Sequence, residues 1–303
     1  VGCGFVGSAS AFALMQSGLF SEMVLIDVDK DRAEGEAMDI SHGASFAGPM
    51  KIYAGGYEDV GDASIIVITA GANQKPNETR LDLVQKNAKI MTDVVTQIKE
   101  QEYKGILLIV SNPVDIMTQV AMEVSGFPEH RVFGSGTVLD SARLRYHLGQ
   151  HLGVDSRSVH AFVIGEHGDS EIAAWSSANV SGVPLNSFCE MRGHFNHEGN
   201  TESIEEQVKN SAYEIIAKKD ATYYGIAMVV KRICQAIVRD EKSIFPISLR
   251  MHGEYALEDV VLSMPAIVGA RGIETTIPIS LDEKEVSRLH ESAEMLRETR
   301  KEI

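Results

Sequence analysis

A glycine triplet constrains this chain more than any other feature. Gly2-Cys3-Gly4-Phe5-Val6-Gly7 opens directly onto a run of small and apolar residues, Ser8 to Leu14. In such a turn the first glycine permits a tight reversal, the second lets the backbone approach a pyrophosphate, and the third lets the helix pack against the strand beneath it. The N–H groups at the start of the helix then face the phosphates. Alone, the turn would also suit a simple strand-to-helix bend. Asp27 narrows the choice, because it ends the apolar run Met23-Val24-Leu25-Ile26, about 20 residues further on. A carboxylate there accepts hydrogen bonds from a ribose diol and repels a 2′-phosphate, so the pair predicts NAD rather than NADP. Val1 stands immediately before a turn that normally follows a complete strand, and most of that strand is expected to lie outside the numbered chain.

The rhythm that follows predicts βαβ units and a parallel sheet. Met23 to Ile26, Ile65 to Ile68 and Ile106 to Val110 read as buried strands. Val6 to Gln16, Asp29 to Ile40, Leu81 to Glu100 and Pro113 to Val124 have helical spacing, and Gly18 and Gly126 sit where helices close. After Gly134-Ser135-Gly136 the pattern becomes mixed. It includes a strand from Val159 to Ile164, a polar surface loop from Met191 to Ser203, a long helical region from Ser203 to Val238 and a charged helix from about Asp282. The expected fold is α/β: a Rossmann-type doubly wound parallel sheet over residues 1–134, followed by a mixed α+β substrate domain over 135–303.

Composition excludes several classes of function. A formal charge of −15 disfavours nucleic acid and anionic membrane, which call for clustered Lys and Arg. On so acidic a chain, an anionic substrate must be held by a few locally placed cations. Cys3, Cys189 and Cys234 are odd in number, far apart and without a CxxC pair, which predicts neither a disulfide framework nor a zinc site, and suits a reducing cytoplasm. No run reaches the length a membrane span needs. His194 and His197 have no acidic or cysteine partner at ligand spacing, so no metal is expected.

The chemistry is expected at Gly165-Glu166-His167-Gly168-Asp169, just beyond the Val159 to Ile164 strand. Upstream, Leu139-Asp140-Ser141-Ala142-Arg143 places Asp140 and Arg143 on one helix face at i, i+3. An aspartate can fix an imidazole, and a guanidinium can grip a carboxylate with two prongs.

Taken in order, these segments resemble the L-lactate dehydrogenases of the lactate/malate dehydrogenase superfamily. Further matching motifs are Thr69-Ala70-Gly71-Ala72-Asn73-Gln74-Lys75-Pro76, Glu78-Thr79-Arg80-Leu81, Val110-Ser111-Asn112-Pro113 and Ala221-Thr222-Tyr223-Tyr224-Gly225. The resemblance implies His167 as proton donor to the pyruvate carbonyl, steadied by Asp140, while NADH delivers hydride. It implies Arg143 on the substrate carboxylate, Asn112 beside histidine and nicotinamide, and Arg80 on a segment, Ala72 to Leu81, that folds over the substrate. Gly2, Gly4, Phe5, Val6, Gly7, Asp27, Gly71, Ala72 and Asn112 are implied to bind the cofactor.

In that family the position of Gln74 faces the substrate side chain, where malate dehydrogenases carry arginine. Glutamine offers no charge to a second carboxylate, and Thr222 is small, so pyruvate and lactate are expected over oxaloacetate and malate. Lys75 beside it is a cation that would soften the exclusion. Arg145 and His160 match the fructose 1,6-bisphosphate site of the bacterial enzymes, which implies an allosterically activated homotetramer that regenerates NAD in fermentation. The rivals are a malate dehydrogenase, an NAD-dependent glycosidase, and a catalytically silent nucleotide sensor. The glycosidase would need metal ligands that Cys189 and Cys234 do not stand near, and the sensor would have no use for His167, Asp140, Arg143 and Arg80 together.

Overall fold

A computed structural model describes residues 1–72 and 79–303, with only the main chain described at Arg80. In the first half the elements are α1 (Phe5–Ser17), β1 (Glu22–Leu25), α2 (Lys30–Gly43), β2 (Lys51–Ala54), β3 (Ile65–Ile68), α3 (Arg80–Glu100), β4 (Ile106–Ile109), α4 (Val114–Ser125) and β5 (Val132–Gly134). The expected elements all appear, with most ends moved by no more than a residue; the helix expected from Asp29 to Ile40 runs three residues further, to Gly43. Their boundaries have local causes. Asp29 accepts the Arg32 N–H at the start of α2, Thr79 and Asp82 cap α3 reciprocally, and Gly18 and Gly126 close α1 and α4 in the left-handed conformation.

β3, β4 and β5 run parallel, as do β1 and β2. Val1 and Gly2 join the two groups. The Gly2 N–H donates to the Ile26 carbonyl at 2.7 Å, and the Thr69 N–H donates to the Val1 carbonyl at 2.9 Å. The spatial order is therefore β2, β1, the Val1–Gly2 segment, β3, β4, β5, a doubly wound sheet with the glycine turn at its centre. All four residues of β4 are buried, and Leu107, Leu108 and Ile109 are fully so. Each such side chain contributes about 1.5–3 kcal/mol.

The second half comprises α5 (Val138–Leu152), β6 (Val159–His160), β7 (Val163–Ile164), β8 (Ile172–Ala173), β9 (Asn179–Val180), β10 (Val183–Pro184), α6 (Leu185–Met191), α7 (His197–Lys219), α8 (Tyr224–Val238), β11 (Ser243–His252), β12 (Glu258–Gly269), β13 (Gly272–Thr276) and α9 (Glu283–Lys301). β11 pairs antiparallel with β5 at Ser248 and Gly134, and β12 and β13 extend the same sheet.

Three local expectations change. The Val159 to Ile164 strand is two short strands with different partners, β6 on β9 and β7 on β8. The helical region from Ser203 to Val238 breaks because Asp220 turns left-handed, with φ of 67°, which ends α7 and leaves a link before α8. The loop from Met191 gives way to helix already at His197, where the Asn196 side chain caps the Gly199 N–H. Among the described residues no helix is long and apolar enough to cross a membrane.

The three turn glycines are not equivalent. A Cβ on Gly7 would lie 1.9 Å from the Gly2 carbonyl oxygen, whereas one on Gly4 meets nothing within 4 Å. Gly7→Ala is expected to cost about 1–3 kcal/mol through overpacking, visible as a melting temperature lowered by several degrees. Gly4→Ala should melt within a degree or two of the parent. Equal losses in thermal unfolding would refute this division of labour.

Candidate active site

No side chain caps α1, whose N-cap is Gly4, so the first N–H groups of the helix take no side-chain partner where Phe5, Val6 and Gly7 were expected to meet a pyrophosphate. A Cβ on Gly2 would sit 2.6 Å from the Ala70 nitrogen, so the turn packs hard on the segment after β3. Asp27 has an additional task. Its Oδ2 accepts the Cys3 N–H at 2.6 Å and its Oδ1 accepts the Asp29 N–H at 2.9 Å, so the carboxylate expected to meet a ribose braces the turn. The uncapped start of α1 and the carboxylate just beyond β1 both fit a bound NAD.

Gly71 and Ala72 follow β3 and are held by a residue that sequence reasoning missed. Asn87, buried on α3, accepts the Ala72 N–H at 2.8 Å and donates to the Asn112 carbonyl at 2.9 Å, joining two expected cofactor segments. An isolated polar residue inside an amphipathic helix was its only signal. Asn112 itself is exposed at the end of β4. Phe5 stacks on Tyr223 with ring centroids 5.4 Å apart, which brings the link containing half-buried Thr222 close to the glycine turn.

The catalytic group expected from the motifs comes together. α5 presents Asp140 and Arg143 on one face, and the loop after β7 carries His167 to them. His167 Nδ1 stands 2.6 Å from Asp140 Oδ2, and Arg143 Nη1 donates to Asp140 Oδ1 at 2.7 Å. The loop is fixed by Gly165, which exchanges both main-chain hydrogen bonds with Ser263 of β12 at 2.9 and 2.8 Å. Gly165 has a φ of 84° and lies against Ser292 of α9, so a side chain there would be strained.

Burial alone would lower the His167 pKa, but the Asp140 charge and hydrogen bond, aided by Asp115 and Glu171, outweigh it and hold the imidazole at about 9. Burial would likewise raise the Asp140 pKa, yet the imidazolium and the Arg143 guanidinium keep it below the ordinary carboxylate range.

Two further carboxyls were not foreseen. Asp115, on α4, is fully buried; its Oδ2 accepts the His167 main-chain N–H at 2.7 Å and its Oδ1 accepts the Ser248 hydroxyl at 2.6 Å. Glu171 is buried close by, and burial first, then the Asp140 charge, push it up to about 8. Donor atoms of Asp140, His167 and Glu171 lie within 4.8 Å of one another, close enough for a metal ion in principle. Both Asp140 oxygens are already engaged by guanidinium and imidazole, however, so the trio is better suited to holding a proton.

Arg145 points to another side of α5, half-buried, with Nε donating to the Ser141 carbonyl at 3.2 Å. His160 is exposed on β6, a strand that packs on α5. Gln74 and the side chain of Arg80 lie outside the described residues; the main chain of Arg80 opens α3.

Comparison with known proteins covers both halves of the chain. The family model for the lactate/malate dehydrogenase NAD binding domain matches residues 1–134, and that for the lactate/malate dehydrogenase alpha/beta C-terminal domain matches 137–303. An L-lactate dehydrogenase of Acetivibrio thermocellus is 49% identical, over 98% of this chain and 94% of its own. L-lactate dehydrogenase 1 of Clostridium acetobutylicum is 48% identical, over 99% and 96%. Among solved structures, the minor L-lactate dehydrogenase from Enterococcus mundtii in its ligands-bound form has a TM-score of 0.97 at 42% identity, covering 100% of this chain and 96% of that one. Matches of this extent, over both halves of the chain, place it in the lactate/malate dehydrogenase family.

Proposed function

We propose that the protein is an L-lactate dehydrogenase, reversibly reducing pyruvate with NADH, and that residues 1–134 hold the dinucleotide while 135–303 hold the substrate. The observation that carries this reading is the single buried carboxylate of Asp140 shared between an imidazole and a guanidinium at 2.6 and 2.7 Å. With Nδ1 facing Asp140, Nε2 of His167 is left to meet a substrate oxygen. Arg143, oriented by its bond to Asp140, has further N–H donors for the substrate carboxylate.

NADH, which the glycine turn and Asp27 would hold, would supply the hydride to the carbonyl carbon and be left as NAD. The electron pair of the broken C=O π bond moves to oxygen, which takes the His167 proton; lactate leaves and the imidazole is neutral until it is reprotonated. Arg80 would add a second cation at the carbonyl oxygen, and Gln74 with Thr222 would line a small, uncharged side-chain pocket. Arg145 and His160 are assigned to fructose 1,6-bisphosphate, whose charge would relieve repulsion across a symmetric contact in a homotetramer. The expected setting is the cytoplasm.

NADH consumption with pyruvate should exceed that with oxaloacetate by about 10²-fold in kcat/KM, the equivalent of several kcal/mol for an unpaired buried carboxylate. Preference for oxaloacetate would reassign the enzyme as a malate dehydrogenase. His167→Asn should lower kcat/KM by roughly 10²–10⁴-fold without weakening NADH binding.

Pyruvate must meet the imidazolium, and the His167 pKa is raised to about 9, so the pyruvate KM should stay flat below that pH and rise above it. Lactate oxidation needs the neutral imidazole and should improve over the same range. Asp140→Asn removes the charge that holds the proton and should move both limbs to lower pH; profiles that do not move would disprove the coupling. Finally, fructose 1,6-bisphosphate should lower the pyruvate KM and favour the larger assembly in sedimentation, and Arg145→Gln should abolish both effects. An unresponsive parent enzyme removes the allosteric assignment alone.

A further inference from the structure

We propose that Asp115 is a positioning residue for the reaction, its ionised carboxylate clamping the main chain of His167 so that the imidazole keeps its direction toward the substrate carbonyl. The inference rests on the reduction of a 2-oxo acid assigned above and adds a residue to it.

Asp115 is 1% exposed and gathers donors from three separate elements. These are the His167 N–H at 2.7 Å, the Ser248 hydroxyl of β11 at 2.6 Å and the Ser263 hydroxyl of β12 at 3.4 Å. Ser263 is also the residue whose main chain pairs with Gly165, two positions before His167. One carboxylate thus closes a ring of contacts through both strands behind the histidine loop. It also lies in the first turn of α4, where the helix dipole favours negative charge, three residues after Asn112. The same turn therefore sets the position of Asn112 and the carriage of His167.

A merely structural acid in this place would be costly. Burying a carboxylate without a cationic partner carries a penalty that a neutral or apolar side chain avoids. Among the described residues Asp115 makes no ion pair with Lys or Arg; the cation acting on it is the His167 imidazolium, opposed by Glu166. The titratable groups acting on His167 are Asp140 on α5, Asp115 on α4 and Glu171 on its own loop, with Arg143 of α5 acting on Asp140 and Glu171 and Lys209 of α7 on Glu171. Burial raises the Asp115 carboxyl to about 6, against the Ser248 hydroxyl and the His167 N–H, which favour its ionised form. The clamp therefore weakens as pH falls through that value.

The test compares the parent enzyme with Asp115→Asn and Ser248→Ala, using pH profiles of pyruvate reduction from pH 5 to 10, NADH affinity by fluorescence and thermal unfolding. The parent should lose kcat/KM on the acid side near pH 6. Ser248→Ala keeps the carboxylate but removes a hydroxyl that stabilises its charge, so the acid-side loss should move to higher pH while NADH affinity stays within about twofold. Asp115→Asn should lower kcat at least tenfold, abolish the acid-side loss and bring the alkaline rise in pyruvate KM to lower pH. A Ser248→Ala enzyme with an unmoved acid limb, or a folded Asp115→Asn enzyme with parental pH limits, overturns the proposal. If Asp115→Asn does not fold, Ser248→Ala decides alone. A parent enzyme that binds NADH but reduces no 2-oxo acid overturns the reaction itself, which is a different failure.

Discussion

The chemistry of this fold depends on one buried carboxylate with two cationic neighbours. Asp140 is 1% exposed, yet it stays ionised because an imidazolium and a guanidinium each take one of its oxygens. Neither neighbour could be removed cheaply, since an unpaired buried charge typically costs 3–5 kcal/mol. The arrangement is therefore self-supporting: the aspartate keeps the histidine protonated, the histidine keeps the aspartate ionised, and the arginine is tethered by one N–H group to the same carboxylate. Glu171, raised toward neutrality beside them, keeps a third negative charge from accumulating at ordinary pH.

The cofactor side shows the same economy. Asp27, the residue proposed to meet the ribose, uses its two oxygens to hold the main chain at Cys3 and Asp29. Asn87 links the segments after β3 and β4 with one side-chain amide. In both cases a polar group fixes the backbone that must approach a ligand, so the ligand meets a surface already in place.

Much of this was legible in the sequence, and the reason is spacing. The glycine turn, Asp27, and the Asp140/Arg143 pair are local patterns whose periodicity mirrors their geometry. The strands Ile65 to Ile68 and Ile106 to Val110 were legible because they are continuous apolar runs. Asp115, Asn87 and Glu171 were not, because a buried polar residue looks like a solvated one until its partner is known. The Ser248 partner of Asp115 lies 133 residues away. The break between α7 and α8 was hidden for another reason: Asp220 adopts the left-handed turn usually signalled by glycine. The Val159 to Ile164 run gave no hint that its two ends pair with different strands, since pairing partners leave no mark on hydrophobicity.

The junction between the two halves has a mechanical implication. β5 and β11 meet in one sheet at Gly134 and Ser248, and Gly134 and Gly136 lie so tightly against β11 that a Cβ on either would come within 3.0 Å of it. The main chain thus passes from one half to the other inside a hydrogen-bonded layer, with no slack linker on which the halves could swing. On the proposed function, the spacing between the dinucleotide half and the His167 loop would be inherited from this shared sheet.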